Sequence, residues 1–418
     1  MRTIFNFLME GARAHAQWDY EVSMSILRSR KRMILVLCLA VPAILFSVAM
    51  AGDIGSLPEI LGGKKAYTPA FYTPEVFLVS ILIGLCAGLI TGCIGAGGGF
   101  IITPALMSAG IKGILAVGTD LFHIFAKAIM GTAVHKKLGN VSVGLAVAFL
   151  AGSIGGVTGG GLINRALYEI NPVLSDTFIS VIYVVLLGFL GIYSMIDFLK
   201  LRGKDTGGDA HGSAPSSELG LPARLQAANI PPMITFDQDL VPGGKKISAL
   251  FVALSGALVG FLAAIMGVGG GFVTFPVFVY VLGVSSFTTV GTDILQIIFT
   301  AGYASITQYA VYGFIFYTLA MGMLLGSLLG IQIGALTTKL VKGIYIRGFY
   351  ATAILAGFAN RLFALPGKLT EMKYISLSAD TSRLLTSIGN WSFFIVVGIF
   401  AVWVIGTFVL KIGQLRED

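Results

Sequence analysis

Charged side chains are scarce in this sequence. Only 11% of its 418 residues are Asp, Glu, Lys or Arg, whereas 56% are hydrophobic, and the mean hydropathy is +0.89. Soluble domains carry about 25% charged residues. So few charges cannot cover a chain of this length in water, and we expect a lipid bilayer to cover it instead.

Residues that carry chemistry are equally few. The three cysteines, Cys38, Cys86 and Cys93, all lie in apolar runs, which is typical of packing residues and not of a disulfide framework or a metal site. The sequence has four histidines, and neither a Gly-X-Ser-X-Gly nor a His-Glu-X-X-His motif. We therefore expect no enzymatic activity, no metal and no cofactor.

The basic residues indicate orientation in a membrane. The formal net charge is +8, and the basic residues cluster near the N-terminus and between positions 200 and 246. They show neither the aromatic interleaving nor the zinc-ligand spacing that would indicate nucleic-acid binding. Cytoplasmic segments of membrane proteins are enriched in Lys and Arg. We expect both termini in the cytoplasm and no nucleic-acid partner.

Long apolar runs fill most of the chain. A transmembrane helix needs about 20 mostly apolar residues, and ten segments are candidates. They are 33–51, 76–95, 114–135, 141–163, 177–199, 247–267, 288–310, 314–337, 343–364 and 391–411. Two shorter apolar pieces, 99–111 and 271–284, suit half-helices. The sequence thus predicts an all-α polytopic membrane protein with about ten transmembrane helices and two short broken or re-entrant segments.

Polar segments divide the chain into units. The first residues mix apolar and basic side chains, which favours an amphipathic segment on the cytoplasmic surface. The first apolar run is interpreted as an extra helix; the alternative is a signal peptide, because Ala49-Met50-Ala51 resembles a cleavage site. A stretch rich in Gly, Ser and Pro is typical of a linker. The predicted units are 1–32, the helix 33–51, a first repeat 76–199, a cytoplasmic linker 200–246, a second repeat 247–411 and a tail 412–418.

The two halves contain the same motifs in the same order. Three blocks recur at offsets of 172, 173 and 174 residues, which indicates an internal duplication. The blocks are Gly95-Ala-Gly-Gly-Gly-Phe-Ile-Ile-Thr-Pro104 with Gly267-Val-Gly-Gly-Gly-Phe-Val-Thr-Phe-Pro276, Val117-Gly-Thr-Asp120 with Val290-Gly-Thr-Asp293, and Gly152-Ser-X-X-Gly156-X-X-X-Gly160 with Gly326-Ser-X-X-Gly330-X-X-X-Gly334.

The basic residues also bear on the relative orientation of the repeats. If each short apolar piece completes a crossing, Lys136, Lys137 and the linker lie on the cytoplasmic side, and the copies are inverted. If each piece dips in and returns, those basic residues face outward and the copies are parallel. The first arrangement satisfies the cytoplasmic preference of Lys and Arg. It predicts inverted repeats, the common plan of secondary transporters.

Each Gly-X-Gly-Gly-Gly block is expected to break its helix, since glycine costs about 1 kcal/mol relative to alanine inside a helix. Open backbone is tolerated at membrane depth only against protein or a water-filled cavity. If the chain restarts as a helix after the block, its first N–H groups form a positive end that favours an anion. The alternative is close packing of helices through small residues. We favour that alternative for Gly152, Gly156, Gly160 and their counterparts.

Asp120 and Asp293 lie within apolar segments of both halves. An ionisable residue in a membrane segment is a functional hypothesis. Because a carboxylate repels an anion, we expect these two to bind a co-transported proton or sodium ion. The alternative is that each aspartate and the threonine before it cap the helix that follows.

The two copies differ next to these aspartates. His123 stands where the second copy has Gln296, and Lys127 stands where it has Thr300. A histidine that titrates near neutral pH suits proton coupling, although a lone histidine in a helix is also a common hydrogen-bonding residue. Lys127 lies on the same helix face as His123 and is a candidate partner for Asp120.

The paired blocks resemble the sulfite exporter TauE/SafE family of membrane transporters, over roughly residues 76–411. The resemblance implies transport of a small sulfur-containing anion (sulfite, sulfate, thiosulfate or an organosulfonate) across the cytoplasmic, or inner, membrane of a prokaryote. No ATP-binding motif is present, so we expect a proton or sodium gradient to drive alternating access. A transporter of another small anion such as a carboxylate, or a membrane sensor or scaffold, stays the alternative.

The expected substrate contacts follow from the same blocks. Glycine N–H groups, threonine hydroxyls and the polar side chain after each aspartate would face one small anion. The expected substrate-binding residues are Gly97, Gly98, Gly99, Phe100, Thr119, His123, Gly269, Gly270, Gly271, Phe272, Thr292 and Gln296. The sequence leaves the oligomeric state open.

Overall fold

The computed structural model describes residues 58–66, 74–94, 98–135, 142–202, 221–237, 243–269, 271–338, 340–341 and 343–411. This part of the chain is helical apart from one two-stranded hairpin and the turns. The helices are α1 (Pro74–Ile94), α2 (Gly99–Ser108), α3 (Gly113–His135), α4 (Val143–Ile170), α5 (Pro172–Arg202), α6 (Leu221–Ala227), α7 (Ala249–Met266), α8 (Gly271–Pro276), α9 (Ser286–Tyr303), α10 (Tyr317–Thr337), α11 (Gly343–Glu371) and α12 (Ala379–Lys411). The strands are β1 (Met233–Phe236) and β2 (Lys245–Ser248).

The apolar runs are helical close to where the sequence predicts them. Among the described residues, eight helices are long and apolar enough to cross a membrane: α1, α4, α5, α7, α9, α10, α11 and α12. The predicted segment 114–135 forms α3, with 23 residues, and the segment 33–51 lies outside the described residues. The two short pieces are short helices, since α2 has 10 residues and α8 has 6, with a π-helical continuation, Val277–Leu282.

The described part of the linker contains regular structure. Helix α6 precedes β1 and β2, which pair antiparallel with Phe236 opposite Lys245. Gln226 on α6 donates from Nε2 to the carbonyl oxygen of Leu282, 2.8 Å away. The linker therefore packs against the end of the second short segment.

The first long helix of each half packs against the third long helix of the other half, α1 with α10 and α7 with α4. Along α1, Gly84 contacts Met323 and Gly92 contacts Ile331. Residue numbers rise together in the two helices, so α1 and α10 run in the same direction. The contacts between α4 and α7 show the same order.

The repeated glycine stripes lie in these two interfaces. A Cβ atom added at Gly152 or Gly156 would collide with backbone carbonyl groups of α7. One added at Gly326, Gly330 or Gly334 would collide with the backbone of α1. The interpretation of these stripes as close packing is therefore confirmed, and small residues at such contacts let membrane helices touch through their backbones.

Counterpart helices of the two halves run in opposite directions. In the pair α3 and α9, Gly118 contacts Tyr309, in the continuation of α9, whereas Phe125 contacts Gly302. Residue numbers rise along one helix as they fall along the other. The pair α5 and α11 shows the same reversal.

The residue before α2 lies back against α1. The N–H of Gly98 donates to Oγ1 of Thr91, 2.8 Å away, and a Cβ at Gly98 would lie 3.1 Å from that of Ala87. Ten residues of helix span about 15 Å, roughly half the hydrocarbon thickness of a bilayer. The piece that follows the first glycine block is therefore a half-helix in length.

A buried arginine holds the C-terminal end of α2. Arg361 on α11 is 2% exposed. Its Nη2 donates to the hydroxyl of Ser108 at 2.8 Å and reaches the carbonyl oxygen of Pro104 at 3.4 Å. Its Nε donates to Oδ1 of Asn360 at 2.7 Å. A cation is favourable at the carbonyl end of a helix, so Arg361 fixes where the half-helix ends.

Replacing Gly156 with alanine tests the glycine interface. The added methyl group must displace the backbone of α7, and overpacking of this kind costs about 1–3 kcal/mol. We expect a lower unfolding midpoint for Gly156→Ala in detergent. The neighbouring Gly155 is a matched control, because nothing lies within 4 Å of a Cβ added there. Equal destabilisation by both alanines would contradict the packing argument.

Replacing Arg361 with methionine tests the anchor of α2. We expect a loss of about 2–4 kcal/mol in unfolding free energy, since hydrogen bonds to a charged group contribute about 1.5–3 kcal/mol each. The exposed Arg383 is the control, and Arg383→Met should leave the unfolding midpoint unchanged. The anchor is excluded if Arg361→Met is as stable as the control.

Candidate functional site

The short helices begin directly at the glycine blocks. Gly99 and Gly271 are the first residues of α2 and α8. Before α8, Gly269 has a φ of 66°, a left-handed conformation that glycine adopts without strain. The predicted site residues Gly97 and Gly270 lie outside the described residues.

The two glycine blocks meet in the fold. A Cβ at Gly99 would lie 2.9 Å from Cα of Val268 in the second block and 3.2 Å from Cδ1 of Ile124. The rings of Phe100 and Phe272 stack with their centroids 4.8 Å apart. This separation is well below the diameter of a helix, about 10–12 Å. Residues 172 positions apart in sequence therefore form one region.

The glycines do not all present free N–H groups. The N–H of Gly98 is used by Thr91, so in this conformation it is not available to a ligand, contrary to the expectation for that residue. The first N–H groups of a helix have no acceptor inside the helix. In α2 these belong to Gly99 and Phe100, because the next two residues donate to the carbonyl oxygen of Gly98.

The two threonines join the halves. Thr119 and Thr292 lie on the second turns of α3 and α9, so the alternative that they and the following aspartates cap these helices is wrong. The hydroxyl of Thr119 accepts the N–H of Phe316, before α10, at 2.9 Å. The hydroxyl of Thr292 accepts the N–H of Ser142, before α4, at 3.0 Å. Each threonine thus positions the start of a helix from the other half.

Asp120 and His123 form a fully buried pair on α3. Thr103 on α2 donates to Oδ2 of Asp120 at 3.1 Å, and Nε2 of His123 lies 2.9 Å from Oγ of Ser327 on α10. Nδ1 of His123 lies 3.6 Å from Oδ1 of Asp120, and neither atom has a hydrogen-bond partner among the described residues. The pair links three helices but leaves two buried polar atoms unsatisfied. Lys127, one turn further along α3, interacts electrostatically with Asp120.

The second half has a satisfied network at the same place. Gln296 donates from Nε2 to Oδ1 of Asp293 at 2.7 Å and reaches the hydroxyl of Thr274 at 3.4 Å. Thr300 donates to Oε1 of Gln296 at 2.8 Å and lies 3.0 Å from the hydroxyl of Ser153 on α4. The counterparts of His123 and Lys127 therefore hold Asp293 with neutral groups.

Two serines are functional candidates that the sequence analysis missed. Ser153 and Ser327 follow the first glycine of the repeated stripes, and they were passed over because the glycines explain the block. Each ends the polar network of the other half. Their recurrence at one offset was the signal in the sequence.

Among the described residues, no group of three His, Cys, Asp or Glu side chains is placed to hold a metal ion. The chemistry available at the site is hydrogen bonding, helix-end electrostatics and proton binding.

Comparisons with known proteins agree with this architecture. The sequence model of the family described as sulfite exporter TauE/SafE matches residues 80–360. A probable membrane transporter protein of Bacillus subtilis (strain 168), YjnA, is 26% identical over 260 residues, covering 61% of this chain and 87% of the relative. A probable membrane transporter protein of Xylella fastidiosa (strain 9a5c) is 25% identical over 269 residues, covering 63% and 85%.

No solved structure matches the chain significantly. The family match covers more than half of the chain, including both glycine blocks and both Gly-Thr-Asp blocks. This multi-pass membrane protein belongs to the sulfite exporter TauE/SafE family of membrane transporters.

Proposed function

We propose that this protein is a secondary transporter of a small sulfur-containing anion, such as sulfite, sulfate, thiosulfate or an organosulfonate, in the cytoplasmic membrane of a prokaryote. Membership of the family supports transport, and the family's description supports a sulfur oxyanion. The observation that carries the proposal is the meeting of two short helices at their N-terminal ends, where Phe100 stacks on Phe272.

Two helix N-termini make a suitable anion site. Each carries about half a positive charge and unpaired N–H groups. The N–H groups of Gly99, Phe100 and Gly271 would bind the oxyanion, and the absence of side chains on the glycines lets it approach the backbone. His123 and Gln296 would orient it from the two halves, and Thr119 and Thr292 would still have hydroxyl hydrogens to donate.

We propose that the two halves are inverted repeats that exchange access between the two sides of the membrane. The support is the opposite direction of counterpart helices, α3 against α9 and α5 against α11, together with the parallel direction of α1 and α10. A two-fold axis in the membrane plane relates halves in this way. A return of α2 alongside α1, which the hydrogen bond from Gly98 to Thr91 supports, would complete a crossing and would also place the basic linker in the cytoplasm.

Coupling would reside beside the anion site. Asp120 and Asp293 lie one helical turn or less from His123 and Gln296, and both networks contact the short helices through Thr103 and Thr274. A cation bound at such a carboxylate would compensate the charge of the anion. Because the sequence contains no ATP-binding motif, a proton or sodium gradient is the expected energy source for transport.

Transport by purified protein in proteoliposomes tests the substrate. We expect saturable uptake of at least one of sulfite, sulfate, thiosulfate and taurine under a proton or sodium gradient, with acetate as the competing carboxylate. Gly99→Ala should lower uptake about tenfold, the effect of about 1.4 kcal/mol, because its methyl group displaces Val268. The control, Gly155→Ala, should transport like the wild type. Uptake of acetate or neutral solutes alone would refute the sulfur-anion proposal.

Labelling of single cysteines with a membrane-impermeant thiol reagent tests the inversion. Inverted repeats place Arg224 in the linker on the same side as Lys411 and opposite Lys65. Parallel repeats place it on the side of Lys65. All three positions are exposed, so each Lys→Cys or Arg→Cys variant, in a background without native cysteines, should react from one side only. Labelling of Arg224→Cys from the side of Lys65→Cys would exclude inversion.

A further inference from the structure

A count of hydrogens at the Asp120–His123 pair finds one too few. The hydroxyl of Ser327 has one hydrogen, which it donates to the carbonyl oxygen of Leu324 at 3.1 Å. Ser327 makes both contacts as hydrogen bonds at once only if its oxygen accepts from His123, whose Nε2 lies 2.9 Å away. Nε2 then carries the single N–H hydrogen of a neutral imidazole, and Nδ1 presents a bare lone pair.

The atom that faces Nδ1 is an acceptor as well. Thr103 uses its hydroxyl hydrogen on Oδ2 of Asp120, and no donor for Oδ1 is found among the described residues. The two acceptors lie 3.6 Å apart and are fully buried. Buried polar groups are almost always paired, so this unsatisfied contact indicates a ligand that can donate a hydrogen bond. A proton is the smallest such ligand.

At the corresponding position of the second half, the side chain itself supplies the hydrogen that the first half lacks. Gln296 stands at the position of His123, and its amide N–H donates to Asp293 at 2.7 Å. Its carbonyl oxygen accepts from Thr300. An amide does not titrate in the physiological range, so the group beside Asp293 keeps one protonation state. Gln296 therefore shows the hydrogen-bond pattern that His123 would have after gaining a proton on Nδ1.

Burial of the pair disfavours a charge on either group alone, and the positive charge of Lys127 on α3 also acts on both groups. A proton shared between His123 and Asp120 leaves the pair without net charge. Among the described residues, the groups that face the pair are Lys127 from α3, Tyr183 from α5, Thr103 from α2 and Ser327 from α10. On the neighbouring α9, Asp293 is hydrogen-bonded to Gln296.

We propose that Asp120 and His123 form a reversible proton-binding site, present in the first half and replaced by a fixed hydrogen bond in the second, and that the ion coupled to transport is the proton. This inference rests on the proposed transport function for its coupling part. The proton comes from water on one side of the membrane and bonds to Nδ1 of His123. The new N–H group then donates a hydrogen bond to Oδ1 of Asp120. The proton is released to water on the other side.

The site contacts α2 through Thr103 and α10 through Ser327, so a change in its protonation would affect both helices. A hydrogen bond from Nδ1 to Oδ1 would shorten their separation from 3.6 Å to about 2.7–3.2 Å. His123 would be drawn toward Asp120 and away from Ser327 on α10, and Asp120 is held by Thr103 on α2. Proton binding thus changes the contact between α3 and α10 and acts on the short helix at the anion site.

Nitrogen-15 NMR of histidine-labelled full-length protein tests the proton site without a substrate. The chain has four histidines, and His123→Gln identifies the signals of His123. We expect Nδ1 of His123 to change from the bare to the protonated state on acidification. Asp120→Asn should abolish that change, because the amide N–H of the asparagine can donate a hydrogen bond to Nδ1 of His123 in place of the bound proton. A ring of His123 that keeps one protonation state and tautomer throughout would overturn the proposal.

Transport in proteoliposomes tests the coupling. With the membrane potential clamped, a gradient of one pH unit should sustain about tenfold accumulation of the sulfur anion for one coupled proton. Asp120→Asn and His123→Gln should accumulate the anion only about onefold, and in Asp120→Asn exchange of labelled for unlabelled anion across the membrane should persist. His135→Gln, the other histidine of α3, should accumulate like the wild type. Proton-driven accumulation retained in His123→Gln would overturn the coupling.

The two experiments separate this inference from the transport proposal. If no sulfur anion moves in the wild type, the transport proposal fails, and the NMR experiment still decides whether the proton site exists. If exchange occurs and His123 titrates, but accumulation follows a sodium gradient alone, the anion proposal survives and the proton coupling is wrong.

Discussion

The constraint on which this structure depends is that backbone N–H and C=O groups cannot be left bare in lipid. The glycine blocks interrupt apolar helical segments between α1 and α2 and again before α8, so in a bilayer both openings must be covered by protein. The fold covers them with each other, Val268 lying against Gly99. The glycine stripes on α4 and α10 make this possible, because they let α7 and α1 approach at backbone distance and draw the two openings together.

The duplication gives both halves the same threonine and aspartate contacts, and the differences between the copies decide which side chains can bind a proton. Both halves use a threonine hydroxyl to hold the start of a helix in the other half, and both place an aspartate one turn or less before a polar side chain that leads to a serine of the other half. The halves differ in whether that side chain titrates. The imidazole of His123 faces Asp120, whereas the amide that faces Asp293 already donates a hydrogen bond to it. A symmetric frame with a titratable imidazole in one half suits a cycle in which a single proton biases two otherwise similar arrangements.

Much of the fold was predictable because it depends on local properties. Hydrophobic length predicted the helices of the described residues, the repeat was visible as three blocks, and the spacing of Gly152, Gly156 and Gly160 correctly indicated a packing face. Contacts between distant residues were not predictable. The capping interpretation of Thr119 and Thr292 was wrong because their partners, Phe316 and Ser142, lie in the opposite half. Arg361 showed no sign of its role, since a single arginine in a helix does not reveal which carbonyl groups it meets.

The sequence by itself determined that this is a duplicated membrane protein with a helix break in each copy, because hydropathy and glycine content act within a few turns of chain. It also showed that the copies diverge at His123 and Gln296, next to the aspartates that they share. Only the tertiary structure decided which atoms face one another. Whether Nδ1 of His123 has a donor or an acceptor beside it depends on Ser327, 204 residues away. A hydrogen bond depends on distances of tenths of an ångström, which packing between the halves sets and sequence spacing does not.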